Sequence, residues 1–123
     1  MVTALELVIS ALRGVVGVPV VSLVPRHPPP LFVRVEQAAP VGFSPSHDRV
    51  MIIAQVYGQH PQLEQVLDIV ATCRDYLRFQ LDHDVPAIVG YSEVSGPVEF
   101  PDPDIAETHT RWQIVGNVYH ALV

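Results

Sequence analysis

The residues from Pro61 to Leu81 form the longest uninterrupted segment with helical periodicity, so any fold for this chain must give that segment a partner. Leu63, Val66, Leu67, Val70, Leu77 and Leu81 recur at helical spacings, which predicts one apolar stripe on a 3.6-residue helix. Gln62, Glu64, Asp68, Asp75 and Arg78 fall on the other side. Pro61 stands at the first helical position, where its missing N–H is not needed. Glu64 lies near the start, and Arg74 and Arg78 near the end, as the macrodipole favours. A lone amphipathic helix is marginal in water, so the flanking strands are expected to supply the surface it packs on.

A first helix is predicted over about residues 3–14. Thr3 can cap it, Glu6 completes a capping-box pattern, and Leu5, Val8, Ile9 and Leu12 form its stripe. Gly14 and Gly17 mark its end. Val20 to Val24, bounded by Pro19 and Pro25, reads as a short edge strand. Arg26 to Pro30 reads as a polyproline-like connector. Leu31 to Gln37 alternates as a half-buried strand does, with Leu31, Val33 and Val35 on one face. Ala38 to Asp48 carries Pro40, Gly42, Ser44, Pro45 and Ser46, which predicts a long loop rather than a tight hairpin. Arg49 to Tyr57 is apolar on both faces and reads as a central strand, after which Gly58 and His60 turn the chain.

Beyond the long helix, Asp82, His83, Asp84 and Pro86 close the segment and Ile88 to Ser95 returns as a strand. Gly96 and Pro97 interrupt it, Val98 to Phe100 extend it, and Pro101, Asp102, Pro103 and Asp104 build a turn-rich loop. Trp112, Ile114, Gly116 and Val118 alternate with Arg111, Gln113, Val115, Asn117 and Tyr119 in the last strand. The prediction is therefore an α+β fold. It has a mixed, mostly antiparallel sheet of about four to five strands packed against two helices, about 3–14 and about 61–81. At 123 residues without repeats, it is a single domain spanning 1–123.

Charge and composition narrow the function classes. All seven cations are Arg, against thirteen carboxylates, and a net charge of −6 argues against a nucleic-acid-binding surface. The densest apolar run, Val15 to Val24, is broken by Gly17 and Pro19 and falls short of the roughly 20 residues of a membrane span. No secretory signal or transit peptide is expected from the first residues. Cys73 stands alone, so no internal disulfide and no cysteine metal site is expected, and a buried inert thiol is the reading.

Catalytic and metal patterns are sparse. Asp82, His83 and Asp84 are too close in sequence to converge on one ion and read as a helix-end turn. His109 and His120 differ by eleven residues, which points them to opposite faces of a regular strand. There is no Gly-x-Ser-x-Gly elbow and no phosphate-binding glycine pattern. Trp112 and Tyr119 could stack a ligand, but read first as core or interface. No catalytic residue, metal or cofactor is assigned, and no enzyme is expected.

Read together, Val94-Ser-Gly-Pro-Val-Glu-Phe-Pro-Asp-Pro-Asp104 and the final strand Arg111-Trp-Gln-Ile-Val-Gly-Asn-Val-Tyr119 resemble the tail terminator proteins of long-tailed, non-contractile phages of actinobacterial hosts. The order of a first helix, a Pro-rich connector, a central strand ending at Tyr57-Gly58 and a long second helix is similar to that family over nearly the whole chain. Ile105 to His109 departs from the Gly-Leu-Pro-Arg-like turn of the family. The resemblance implies a structural virion protein without catalysis: a ring, hexameric in the family, on the head-proximal end of the tail tube. The ring stops tube polymerisation and presents a surface for head-completion or neck proteins. Its partners would be copies of itself, the tail tube protein and the neck protein. DNA would only pass through the channel, and no membrane would be involved.

Under that resemblance the two turn-rich loops become the expected contact regions. The first holds Phe43, Ser44 and Asp48. The second holds Glu99, Asp102, Asp104 and Glu107, with Arg111 at the head of the last strand. Some of the four carboxylates are expected to face the channel. Two other readings stay open: a related neck or minor tail component of the same build, and a small ligand-binding domain or enzyme using His83, His109 or Trp112.

Overall fold

The computed structural model describes residues 2–122. Helix α1, Ala4–Arg13, is capped by the Thr3 hydroxyl, which accepts the Glu6 amide at 3.1 Å, and it buries Ala4, Val8 and Leu12. Strands β1 (Val20–Val21) and β2 (Leu31–Gln37) follow, then β3 (Val41–Ser44) and β4 (His47–Gln59). A 3₁₀ turn over His60–Gln62 leads into helix α2, Leu63–Phe79. A single-turn helix α3, Leu81–Asp84, precedes strands β5 (Ile88–Glu99) and β6 (His109–Ala121). The architecture is α+β. The sheet has six strands in the order β1-β2-β4-β6-β5, with β3 beside the start of β4. Only β1 with β2 is parallel; every other pair is antiparallel.

Strands β4 and β6 pair without a slip from His47 opposite Ala121 to Gln59 opposite His109. At roughly 3.3 Å per residue this ribbon is on the order of 40 Å long. One of its faces carries Val50, Ile52, Ala54 and Val56 from β4 and Ile114 and Val118 from β6. These join Val33 and Val35 of β2 and the inner faces of the helices in a single core. All the helices lie on that side, so the domain is a two-layer sandwich of helices on a sheet.

Three expectations need correction. The buried stripe of α2 is Val66, Val70, Cys73, Tyr76 and Leu77, continuing to Leu81, whereas Leu63 and Leu67 are 42 % and 39 % exposed. The stripe is rotated because Cys73 and Tyr76 take core positions that a search for aliphatic residues passes over. The segment Ala38–Asp48 is not a long loop. Gly42 pairs with Asp48 and Ser44 with His47, leaving Pro45 and Ser46 as a two-residue turn. No residue there has positive φ, so the turn is not of the primed kind that hairpins favour; Pro45 instead supplies the fixed φ of an ordinary turn. The register shift between Gly42 and Ser44 absorbs the resulting mismatch of twist. Finally, Gly58 does not turn the chain. It lies within β4, where a Cβ would come 2.3 Å from Val66 Cγ2, so its lack of a side chain lets the first turn of α2 approach the sheet.

Gly116 has the same function on β6, because a Cβ there would fall 2.1 Å from the Tyr91 ring that crosses it. Gly116→Ala is expected to cost about 1–3 kcal/mol by overpacking. In the Tyr91→Ala background that cost should largely disappear; additive losses in urea unfolding would contradict this packing.

Burial also fixes the alkaline limit of the fold. The Cys73 thiol and the Tyr76 and Tyr91 phenols are each pushed up to about 12, chiefly by desolvation; the Asp84 carboxylate beside Tyr76 adds to the shift there, and Glu93 adds to that of Tyr91. The folded chain keeps these protons after the unfolded chain has released them. Stability is therefore undiminished below the ordinary values of 9.0 and 10.0 and declines as pH rises toward 12. Urea midpoints should fall across that window, and level midpoints would show that these groups are not desolvated.

Candidate functional site

The sheet face opposite the helices is treated differently at its two ends. At the end where β4 finishes, Phe32 and Tyr57 point away from the helices and yet are fully buried. Their rings stack at 4.4 Å with an interplanar angle of 8°, and His109 meets Phe32 edge-on at 6.2 Å. The cover is the loop between β5 and β6 together with the proline connector before β2. The Tyr57 hydroxyl donates to Asp102 Oδ2 at 3.0 Å. Arg111 donates to the Tyr57 hydroxyl (3.2 Å), the Phe100 carbonyl (2.6 Å) and the Pro101 carbonyl (3.3 Å), and lies 3.8 Å from Asp102. His60 is bonded to the Ala106 carbonyl at 2.9 Å.

His109 completes this clamp. Its Nε2 lies 3.0 Å from the Pro29 carbonyl, which can only accept, so that nitrogen carries a proton; Nδ1 is 2.8 Å from the Thr108 hydroxyl. Connector, strand and loop are thereby joined through one ring. Desolvation raises the Tyr57 phenol, and the hydrogen bond from Arg111 opposes that rise. The phenol thus remains a donor to Asp102.

The opposite end, where β4 begins, is open. Every residue of β3 is exposed, and Phe43, 60 % exposed, leans edge-on against Tyr119 at 4.9 Å. Phe43, His47, Val89 and Tyr119 line a hollow of about 330 Å³. The turn is held locally: the Ser44 and Ser46 hydroxyls lie 2.9 and 3.1 Å from His47 Nδ1, and Ser44 Oγ accepts the Ser46 amide. The Leu122 amide donates to the Ser46 carbonyl, which ties the chain's last strand to the turn.

The residues singled out from sequence therefore separate into two groups at opposite ends of one ribbon. Phe43, Ser44 and Asp48 are at the hairpin end, with Phe43 and Ser44 exposed and Asp48 half-buried beside His120. Glu99, Asp104 and Glu107 are exposed at the loop end. Asp102 and Arg111 belong to the same loop region but are turned inward, with side chains 13 % and 9 % exposed, and serve the clamp. The alternative candidates are dispersed: the His83 ring lies 3.0 Å from Asp82 at the α3 turn, His109 is used by the clamp, and Trp112 packs against the core. Sequence reasoning missed Tyr57, Phe32 and His109 as one unit. The available signal was an aromatic on the second face of a central strand, but its partner Asp102 lies 45 residues away.

Among the described residues no group of three or more His, Cys, Asp or Glu is placed to hold a metal ion, and no helix is long and apolar enough to cross a membrane. Comparison with family models and with curated proteins finds no match to this chain.

Tyr57→Phe keeps the stack on Phe32 and removes one hydrogen-bonding group, for an expected loss of about 1–2 kcal/mol. Asp102→Ala removes the partner of a mostly buried guanidinium and is expected to cost about 2–3 kcal/mol. The two should be strongly coupled in a double-mutant cycle; simple additivity would mean that the clamp does not act as a unit.

Proposed function

We propose that this chain is a structural tail terminator: a ring subunit that caps the head-proximal end of a non-contractile phage tail tube, stops polymerisation and offers the other side of the ring to a neck protein. The observation that carries the reading is the pair of dissimilar ends on one rigid ribbon. One end is apolar and exposed at Val41 and Phe43, and the other is acidic at Glu99, Asp104 and Glu107. A protein seated between tube and neck needs two faces with different chemistry, held at a fixed separation. The unslipped β4–β6 pairing provides that separation.

The hairpin end suits a protein partner, because exposed Val41, Phe43 and Val89 supply apolar area, with the exposed Arg49 opposite Val41 at its side. The three carboxylates suit a channel wall, since they repel the phosphates of DNA that must pass without binding. The partners on this reading are other copies of the chain, the tail tube protein and a head-completion protein, in the virion tail after assembly in the host cytoplasm. The role requires no catalysis and no cofactor.

Deleting either loop would not test this cleanly, because Ala38–Asp48 includes a strand and the 100–108 segment closes the Tyr57 clamp. Phe43→Ala is the sharper variant: it removes an exposed contact whose internal stacking is worth about 0.5–1.5 kcal/mol, so the domain stays folded. Electron microscopy of tails assembled without the protein should show tubes of uncontrolled length, and the Phe43→Ala protein should fail to correct them. Tubes of normal length that do not join heads would move the protein to the neck. Normal, fully joined tails would remove both roles.

A further inference from the structure

The strands that flank the β4–β6 ribbon at its open end each carry one extra residue. On β3, Gly42 pairs with Asp48 and Ser44 with His47, so Phe43 has no residue opposite it. On β5, Ile88 pairs with His120 and Gly90 with Tyr119, so Val89 is the extra one. A bulge breaks the alternation of a strand and re-aims the side chain it releases. Both released side chains line the same hollow of about 330 Å³, Phe43 from one flank and Val89 from the other, with His47 and Tyr119 of the central ribbon between them. Gly90 adds no side chain opposite Tyr119, which leaves Val89 as the apolar wall on that flank.

The parts of this hollow are held in place. The His47 ring is fixed through Nδ1 by the Ser44 and Ser46 hydroxyls, and the Tyr119 hydroxyl lies 3.3 Å from that of Ser92. Phe43 rests edge-on against Tyr119. The volume is at the low end of ligand pockets, which span roughly 300–1,000 Å³, and the walls Phe43 and Val89 are themselves exposed. Such a shape suits one side chain inserted from an opposing surface better than a small molecule enclosed on all sides.

Charge narrows what that surface carries. Arg49 stands opposite both Val41 and Tyr119, so the three side chains share one row of the outer face, with neighbours roughly 5 Å apart at Cβ. Arg49 is exposed and forms no ion pair among the described residues. The next row along the face, Met51, Asn117 and Ser92, holds no carboxylate, and Glu36, one row further, is taken by Arg34. Asp48 belongs to the opposite face, with His120. In a chain of net charge −6, the apolar hollow is therefore bordered by an unanswered guanidinium. A cationic partner would meet like charge there, and a neutral one would cover Arg49 without pairing it.

We propose that the hollow takes one large apolar side chain from a partner protein, carried on a segment in which an adjacent Asp or Glu pairs with Arg49. The proposal rests on the reading of the hairpin end as a protein contact and adds the chemistry of what binds there. The apolar side chain supplies the buried area, and the carboxylate sets the orientation and excludes basic segments.

The experiment titrates isotope-labelled protein with a capped peptide, Gly-Asp-Phe-Asp-Gly, and follows the amide resonances of Phe43, His47, Arg49 and Val89. Control peptides replace both Asp by Asn, both Asp by Lys, or Phe by Ala. Near 0.01 M salt, where the Debye length is roughly 30 Å, the acidic Phe peptide is expected to shift these resonances saturably. The Asn peptide should bind about twofold to fivefold more weakly, the range of one exposed ion pair, and the Lys peptide more weakly still. The Ala peptide should leave the resonances in place. Arg49→Gln, which breaks no ion pair, should abolish the difference between the Asp and Asn peptides, and Val89→Trp should fill the hollow and prevent binding of either. Absence of saturable shifts, equal binding of the Asp and Asn peptides, or shifts that survive Val89→Trp would each overturn the proposal. Peptide binding as expected, with Arg49→Gln and Val89→Trp proteins that still correct tail length, would keep the docking chemistry and remove this end from the terminator role. No peptide binding, with a Phe43→Ala protein that fails to correct tails, would do the reverse.

Discussion

Everything in this fold is placed by the pairing of β4 with β6. Thirteen consecutive residues of each strand are opposed without a slip, from His47 with Ala121 to Gln59 with His109. With a period of two, a one-residue slip would exchange the two faces, driving Val50, Ile52, Ala54 and Val56 into solvent and Met51, Ile53, Gln55 and Tyr57 beneath the helices. The register is thus fixed by the core. Two glycines, Gly58 and Gly116, sit on its helix-facing side where α2 and Tyr91 press closest.

The ribbon is longer than the helical layer needs, and the two ends resolve the surplus differently. At the His109 end a second cover is assembled from irregular chain, with the Tyr57–Asp102–Arg111 cluster in place of an apolar layer. Arg111 spends its donors on two carbonyls and a phenol, so its burial is compensated chiefly by hydrogen bonds, and Asp102 supplies the neutralising charge. At the His47 end no such cover exists, and Phe43, Val89 and Tyr119 stay accessible. The chemical difference between the ends is therefore a consequence of which loop is long enough to fold back.

The sequence was legible where a single periodicity governs a segment. Helix α1 with its Thr3 cap, the extent of α2, strand β2 and the alternation of β6 all follow from local pattern. It misled where breakers are used inside regular structure. Pro40, Gly42 and Pro45 argued for a loop, yet the proline at the turn and the bulge beside it are what close the β3–β4 hairpin. It was silent on the clamp, since Tyr57, Asp102 and Arg111 are brought together only by the sheet and their types alone do not announce a pairing. Asp102 accordingly read as a contact residue of a loop and Arg111 as one at the head of the last strand, when their side chains are mostly buried.

The protection of the sheet's two ends follows from the same topology. Because β1 and β5 end the sheet order, each is a rim with one unpaired side, which would recruit an arbitrary strand unless it were guarded. Bulges, a proline and a guanidinium on the Val20 carbonyl protect the backbone at the rims without making them inert. What is left exposed there is side chain rather than backbone, Leu23 just beyond β1 and Val94 and Val98 on β5, so contact at either rim is decided by side-chain fit and not by a strand template.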